Sequence, residues 1–259
     1  LRIALFSDVH GCLTALRAAL GELNREEPDL TVFLGDAVHY GPSPNECADL
    51  LRESGVECIQ GNCDRAVSRG RSSTGEVYEN PHWTNIAGEF LKWTTGELSA
   101  VNRKWLRGLP EELRFQRGKT TLHCVHGLPG RQSEGLPVNA AGEVYDAILS
   151  RSGADILACG LTHAPAVIRR SRGMIVNPGA IGGGTVPGGG TFMILNLPEE
   201  GHPQVETLEF TFDAAELQRE FAGAGRGELF LKCLKLGRDQ RGHWHTGSSK
   251  CRQQWAELQ

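Results

Sequence analysis

The chain has 259 residues, enough for one large domain or two small ones. Hydrophobic residues make up 39% and charged residues 22%, the balance of a globular protein. A net charge of -4 with no basic block excludes a nucleic-acid backbone as the default partner, and no apolar run reaches the length of a membrane span.

The first residues read as a charged strand, not a signal peptide, and cysteine usage makes a cytoplasmic protein the expectation. The cysteines are Cys12, Cys47, Cys58, Cys63, Cys124, Cys159, Cys233 and Cys251. None forms a Cys-x-x-Cys pair, so buried reduced thiols are expected rather than a zinc ribbon or redox motif.

Ile3 to Phe6 is an apolar run that predicts a buried strand. Ser7-Asp8-Val9-His10-Gly11 follows as a tight turn, then an amphipathic helix from Leu13 to Glu26. Asp8 and His10 thus fall at the strand's carboxyl end, where open α/β sheets bind ligands. Leu30 to Leu34 predicts a second strand, ending in Gly35-Asp36 and a loop through His39 to Pro42. Pro44 to Glu53 reads as a helix with proline near its start. Val56 to Ile59 is a third strand, ending in Gly61-Asn62-Cys63-Asp64.

Residues 66–110 break this alternation. A polar stretch, Ser68 to Thr74, leads to predicted helices at Asn85 to Trp93 and Leu98 to Leu106, with aromatic bulk from Trp83, Phe90, Trp93 and Trp105. The segment reads as a helical insertion that either packs its aromatics on the main sheet or caps the site. His82 there has no assigned role.

Strands resume at Leu113 to Phe115 and Thr120 to Val125, the latter ending in His126-Gly127. A helix is expected from Asn139 to Arg151. Ala154 to Cys159 then ends in Gly160-Leu161-Thr162-His163. Four closely spaced strands follow, at Ala166 to Arg169, Met174 to Val176, Thr191 to Leu197 and Val205 to Phe210, and their spacing predicts hairpins. The glycine-rich run from Asn177-Pro178-Gly179 to Gly190 cannot be a regular element. Asp213 is the expected N-cap of a closing helix to Ala222. Beyond Gly223, Phe230 to Leu236 fits helix or strand. His243-Trp244-His245 resembles a metal pair but sits in a run that reads as a flexible tail.

Asp8, His10, Asp36, Asn62, His126 and His163 therefore recur at strand ends. They form a set of oxygen and nitrogen donors suited to manganese, iron, zinc or cobalt. An Asp can bridge two cations, and two cations about 3.5–4 Å apart form a clamp for in-line attack at phosphorus. No Gly-x-Ser-x-Gly elbow and no P-loop occurs, which argues against a serine hydrolase or a nucleotide-binding loop of that type.

Asp8-Val9-His10, Gly35-Asp36, Gly61-Asn62-Cys63-Asp64, His126-Gly127 and Gly160-Leu161-Thr162-His163 run in order. In this the chain resembles the calcineurin-like metallophosphoesterase superfamily, in its bacterial single-domain branch, over residues 2–212. The resemblance implies an α/β fold, a four-layer α/β/β/α sandwich of two mixed sheets flanked by helices. It implies a catalytic domain over residues 1–222 and leaves 223–259 as a tail of unknown role. By resemblance Asp8, His10 and His163 bind a first metal, Asp36 bridges, and Asn62 and His126 bind a second. A metal-bound hydroxide then attacks a phosphodiester, phosphomonoester or phosphoanhydride of a small molecule, and a nucleotide is one such substrate. Asp64 would orient its neighbours.

Two positions depart from the family pattern. Leu161 stands where a histidine binds the second metal, so one tight ion and a weak second are expected unless a local side chain substitutes. His39 is the nearest candidate in sequence; otherwise it is a loop residue bonded to backbone. Cys63 stands where many members carry a proton-donating histidine, which should favour substrates with good leaving groups. Arg131 is either a phosphate contact or a solvated loop arginine. His123 is expected to be a satisfied structural residue. Leu161 also keeps open a scaffold role, since the superfamily includes a retromer subunit that uses the fold for protein contacts.

Overall fold

The structure, a computed structural model of the chain, describes residues 1–77, 81–182 and 188–225, with the backbone alone at 81–83 and 214. Expectations for His82, Trp83 and the tail from residue 226 therefore lie outside what is described.

Apolar runs with β-branched residues become strands, and two five-stranded mixed sheets result. The first contains β1 (Arg2–Phe6), β2 (Leu30–Phe33), β3 (Glu57–Cys58), β9 (Gly189–Asn196) and β10 (Gln204–Thr211). Its order is β10-β9-β1-β2-β3, with β1, β2 and β3 parallel and β9 antiparallel to both of its neighbours. The second contains β4 (Glu112–Arg117), β5 (Thr120–Val125), β6 (Ile156–Ala158), β7 (Ala166–Arg170) and β8 (Gly173–Asn177). Its order is β4-β5-β6-β8-β7, with β5, β6 and β8 parallel. The predicted hairpins exist as β7–β8 and β9–β10. The chain changes sheet between β8 and β9, which spacing alone does not disclose.

Strand alternation fixes the layers. Ile3, Leu5, Val32 and Leu34 face Leu122, Cys124, Ile156 and Val176 across the gap between the sheets. The opposite side chains of the first sheet, Ala4, Phe6 and Phe33, pack on helices. These include α1 (Leu13–Arg25), α2 (Pro44–Glu53), α4 (Pro81–Glu97), α5 (Ala100–Gly108) and α7 (Ala214–Gly223). On the far side, Leu157 and Ile175 of the second sheet pack on Tyr145 and Leu149 of α6 (Gly142–Ser152). The result is the expected four layers, α/β/β/α.

Residues 62–64 differ from their strand-end reading. They are the first turn of a helix, α3 (Asn62–Arg69), closed by Gly70 at φ +61. Asp64 at its third position accepts the Gly61 amide at 3.0 Å, a capping contact that fixes where the helix begins. In the helical segment that follows, Phe90, Leu91 and Leu98 are buried in the same core as α1 and α2, and Trp105 packs against it. Asp213 caps α7 by accepting the Ala215 amide at 2.8 Å.

Candidate metal centre

Parallel strands end on a common edge. The residues after β1, β2 and β3 therefore meet those after β5 and β6 across the gap between the sheets. Asp8, His10, Asp36, Asn62, His126 and His163 all converge there, each at most 2% exposed. Among the described residues three groups have donor atoms that lie within 4.8 Å of one another inside each group: Asp8, His10 and His163; Asp8, Asp36 and His126; and His10, Asp36 and Cys63.

The backbone is strained to achieve this. Among the described residues nine non-glycine residues have positive φ, and seven of them, Asp8, His10, Asp36, His39, Tyr40, Leu161 and His163, lie on these loops. Such conformations persist only where surrounding contacts over-determine them. Here the Asp8 amide donates to the Gly35 carbonyl at 3.0 Å and the His10 amide to that of Asp36 at 2.9 Å. Gly61 is required by close approach: a Cβ there would lie 2.0 Å from Asp36 Oδ1.

Hydrogen bonding turns acceptors on one another. His126 Nδ1 donates to the Leu34 carbonyl at 2.7 Å, so in the neutral ring Nε2 carries a lone pair. That lone pair faces Asn62 Oδ1 at 2.9 Å and Asp36 Oδ2 at 3.3 Å. The orientation of Asn62 is fixed, because its Nδ2 donates to the Thr74 carbonyl at 3.2 Å and to Glu76 Oε1 at 3.3 Å. Likewise, His10 Nε2 and His163 Nε2 are 2.9 Å apart, and His163 Nε2 is 3.1 Å from Asp8 Oδ1. Asp36 Oδ2 is buried and accepts no hydrogen bond among the described residues. Acceptors packed in this way need a proton or a cation between them, and a divalent ion fits the donor set.

The charges respond accordingly. Burial alone would raise Asp36, but the imidazoles of His126 and His10 outweigh it and hold the carboxyl below its usual range. Asp8 is likewise held low against burial by His163 and His10. Burial would lower His126, yet the Asp36 carboxylate lifts it to about 9. Asp64 is pushed up to about 6 by burial and by the charge of Asp36, against the amides of Gly61 and Val38 that it accepts.

Asp64 does not reach into the donor groups; it holds the backbone beneath them, accepting the Asp36 amide at 2.9 Å and that of Val38 at 3.2 Å. Cys63 is buried, and its amide donates to Asp36 Oδ1 at 2.9 Å. Leu161 gives its amide to Asp8 Oδ2 at 3.1 Å, but its side chain has no donor atom. His39 belongs to none of the three donor groups. Its Nδ1 accepts the Tyr40 amide at 2.8 Å, and its ring stacks on Tyr40 at a centroid distance of 3.9 Å. Arg131 is half exposed and pairs with Glu134 at 2.7 Å. Both line a cavity of about 640 Å³ together with Arg65, Gln132, Ser133 and His126. His123 lies apart from the site, between Ser152 at 3.0 Å and Glu112 at 2.9 Å. Sequence reasoning missed Thr74, Glu76 and Ser133, which form a strap over Asn62; Ser133 Oγ donates to the Thr74 carbonyl at 3.0 Å. Their polar run carries no motif.

A family profile described as the calcineurin-like phosphoesterase superfamily domain matches residues 1–200. The chain belongs to this superfamily. A metallophosphoesterase from Sphaerobacter thermophilus is similar in structure at a TM-score of 0.67 and 28% identity, over 88% of this chain and 96% of that one. A hypothetical protein from Pyrococcus horikoshii shares the fold at a TM-score of 0.74 and 23% identity, over 96% and 99% of the two chains. A stretch of 94 residues, 36% of this chain, is 31% identical to serine/threonine-protein phosphatase 1 of Salmonella typhimurium. An uncharacterised protein of Methanocaldococcus jannaschii is 32% identical over 108 residues, 42% of this chain. The chain spans 42% of the length of each of these two curated relatives. Members of the superfamily typically bind divalent metals, and the buried Asp and His clusters are groups that could hold such an ion. Among the described residues no helix is long and apolar enough to cross a membrane.

Proposed function

We propose that the chain is a metal-dependent phosphoesterase acting on a small phosphorylated molecule. The observation that carries this reading is the mutual facing of buried acceptors from Asp8, Asp36, His126 and His163 at the seam of two sheets. Asp8, His10 and His163 would hold one divalent ion and Asn62 and His126 another, with Asp36 between them. Manganese, iron, zinc and cobalt all suit these donors. Such ions neutralise phosphoryl charge and make water nucleophilic at neutral pH.

The chain's own part is to place and orient. The Leu34 carbonyl keeps His126 in the tautomer whose Nε2 points inward. Asp64 pins the backbone that carries Asp36. Leu161 supplies no lone pair, so the second ion is held more weakly than the first. Cys63 at the position of a proton donor is a poor acid for an alkoxide, which favours aryl phosphates and phosphoanhydrides, including nucleotide polyphosphates. The cavity lined by Arg65 and Arg131 supplies cationic contacts beside His126, and a bound phosphate there competes with Glu134 for Arg131. Residues 1–222 form the catalytic domain in this reading, with 66–110 as a helical insertion and 223–259 as a separate tail. Its reduced thiols suit a cytoplasmic setting.

The test is metal content and hydrolysis of an aryl phosphate by the purified chain. Metal-dependent turnover that disappears in Asp36→Asn is expected, with aryl and anhydride substrates ahead of alkyl monoesters. Leu161 favours a second reading, a binding protein on the same fold. Absence of turnover with all four metals, together with a stable protein partner, would replace the first reading by the second.

A further inference from the structure

We propose that Cys63 is itself a metal ligand, forming with His10 and Asp36 a mixed sulfur, nitrogen and oxygen pocket for a thiophilic divalent cation. The inference rests on reading the site as a metal centre, and replaces the proton-donor role considered for Cys63, because a metal-bound thiolate has no proton to give. Its basis is geometric. The Cys63 sulfur, a His10 ring nitrogen and an Asp36 oxygen lie within 4.8 Å of one another, and all three side chains are fully buried. Donors sharing one tetrahedral ion, with bonds of about 2.0–2.3 Å, lie roughly 3.3–3.8 Å apart. A shortening of at most about 1–1.5 Å between any two of these atoms therefore closes the pocket.

Two further observations point the same way. Asp36 Oδ2 is fully buried and accepts no hydrogen bond among the described residues, while Oδ1 is engaged by the Cys63 amide at 2.9 Å. One carboxylate oxygen thus ties down the cysteine backbone and leaves the other for an ion. Cys63 is also fixed in the first turn of α3, whose start is set by Asp64. A sulfur donor shifts selectivity toward zinc, cobalt and cadmium and away from magnesium and calcium. The thiol proton is displaced to solvent as the metal–sulfur bond forms.

The experiment is a cobalt(II) titration of the metal-free full chain under reducing conditions, followed by absorption spectroscopy. Wild type is expected to develop a thiolate-to-cobalt charge-transfer band with its first equivalent of cobalt. Cys63→Ser should lose that band and bind cobalt at least roughly tenfold more weakly, the lower bound for loss of even an outer partner of a metal site. Cys63→His should regain affinity through a nitrogen donor without regaining the band, and circular dichroism checks that each variant is folded. Cobalt bound by wild type without the band, or a band that survives in Cys63→Ser, overturns the assignment. Failure of the underlying metal-centre reading looks different: no cobalt is retained, or Asp36→Asn binds it as wild type does.

Discussion

The Asp64 carboxylate accepts the backbone amide of Asp36 at 2.9 Å, so the residue at the centre of the donor cluster is held from below by a second buried acid. The same carboxylate also accepts the amides of Gly61 and Val38. Asp64→Ala would leave three buried N–H groups without their acceptor, at about 1–3 kcal/mol each. Partial relaxation and water entry lower the sum, and a loss of roughly 3 kcal/mol is expected. At about 2–4 °C per kcal/mol for a domain of this size, the melting temperature should drop by about 6–12 °C. Calorimetry that finds a change under about 2 °C would contradict this role.

Glu76 and the Thr74 carbonyl fix the amide of Asn62 so that its oxygen faces His126. Glu76→Ala should leave the fold intact and weaken metal binding about tenfold, the lower range for an outer partner of a metal ligand. Isothermal titration with manganese reads this directly. Glu76→Gln, which keeps an acceptor oxygen, should recover most of the affinity.

Leu161 occupies a left-handed conformation at φ +67, a strain of roughly 1 kcal/mol for a side chain of its type. Its amide contact to Asp8 does not depend on the side chain. Leu161→His is therefore expected to fold and to raise tightly bound manganese from nearly one ion per chain toward two. Elemental analysis giving two ions for wild type would refute the weakened second site.

His123 predicts a pH effect away from the cluster. Burial pushes its imidazole below the ordinary value of 6.5; the hydrogen bond to Glu112 opposes this, and the Arg114 guanidinium adds to burial. The unfolded chain thus takes up a proton more readily than the folded one. The stability from keeping His123 neutral is complete above its unfolded value. It falls as pH drops from about 6.5 toward the lower folded value and then levels off. Denaturant titrations across this range should show the decline in wild type and a shallower one in His123→Gln. Parallel curves would exclude His123 as the source.

Much of the fold was legible because its signals are local. Thr120 to Val125 and Pro44 to Glu53 match their elements residue for residue, since each is a periodic run bounded by turn residues. The gathering of Asp8, His10, Asp36, His126 and His163 at one edge was legible for the same reason: each closely follows an apolar run. The start of α3 was not, because Gly61-Asn62-Cys63-Asp64 continues a strand pattern. What turns it into a helix is partly a tertiary bond, Cys63 to Asp36, 27 positions away. Glu76 was invisible because its partner lies 14 positions off across a polar loop. The orientation of His39 toward Tyr40 depends on positive φ at both, which no propensity of those residues announces.

Asp8 and His163 lie 155 positions apart in the chain and meet at 3.1 Å. Asp8, His10, Asp36 and Asn62 come from the rim of one sheet, His126 and His163 from that of the other. A growing polypeptide therefore owns no complete site until residue 163 has been made and both sheets have closed on each other. A divalent ion held there would act as a rivet across the seam, stabilising the joined state by mass action and neither half alone. Stripping that ion should loosen the joint between the sheets before either sheet melts, so site occupancy doubles as a report on whether the whole sandwich is assembled.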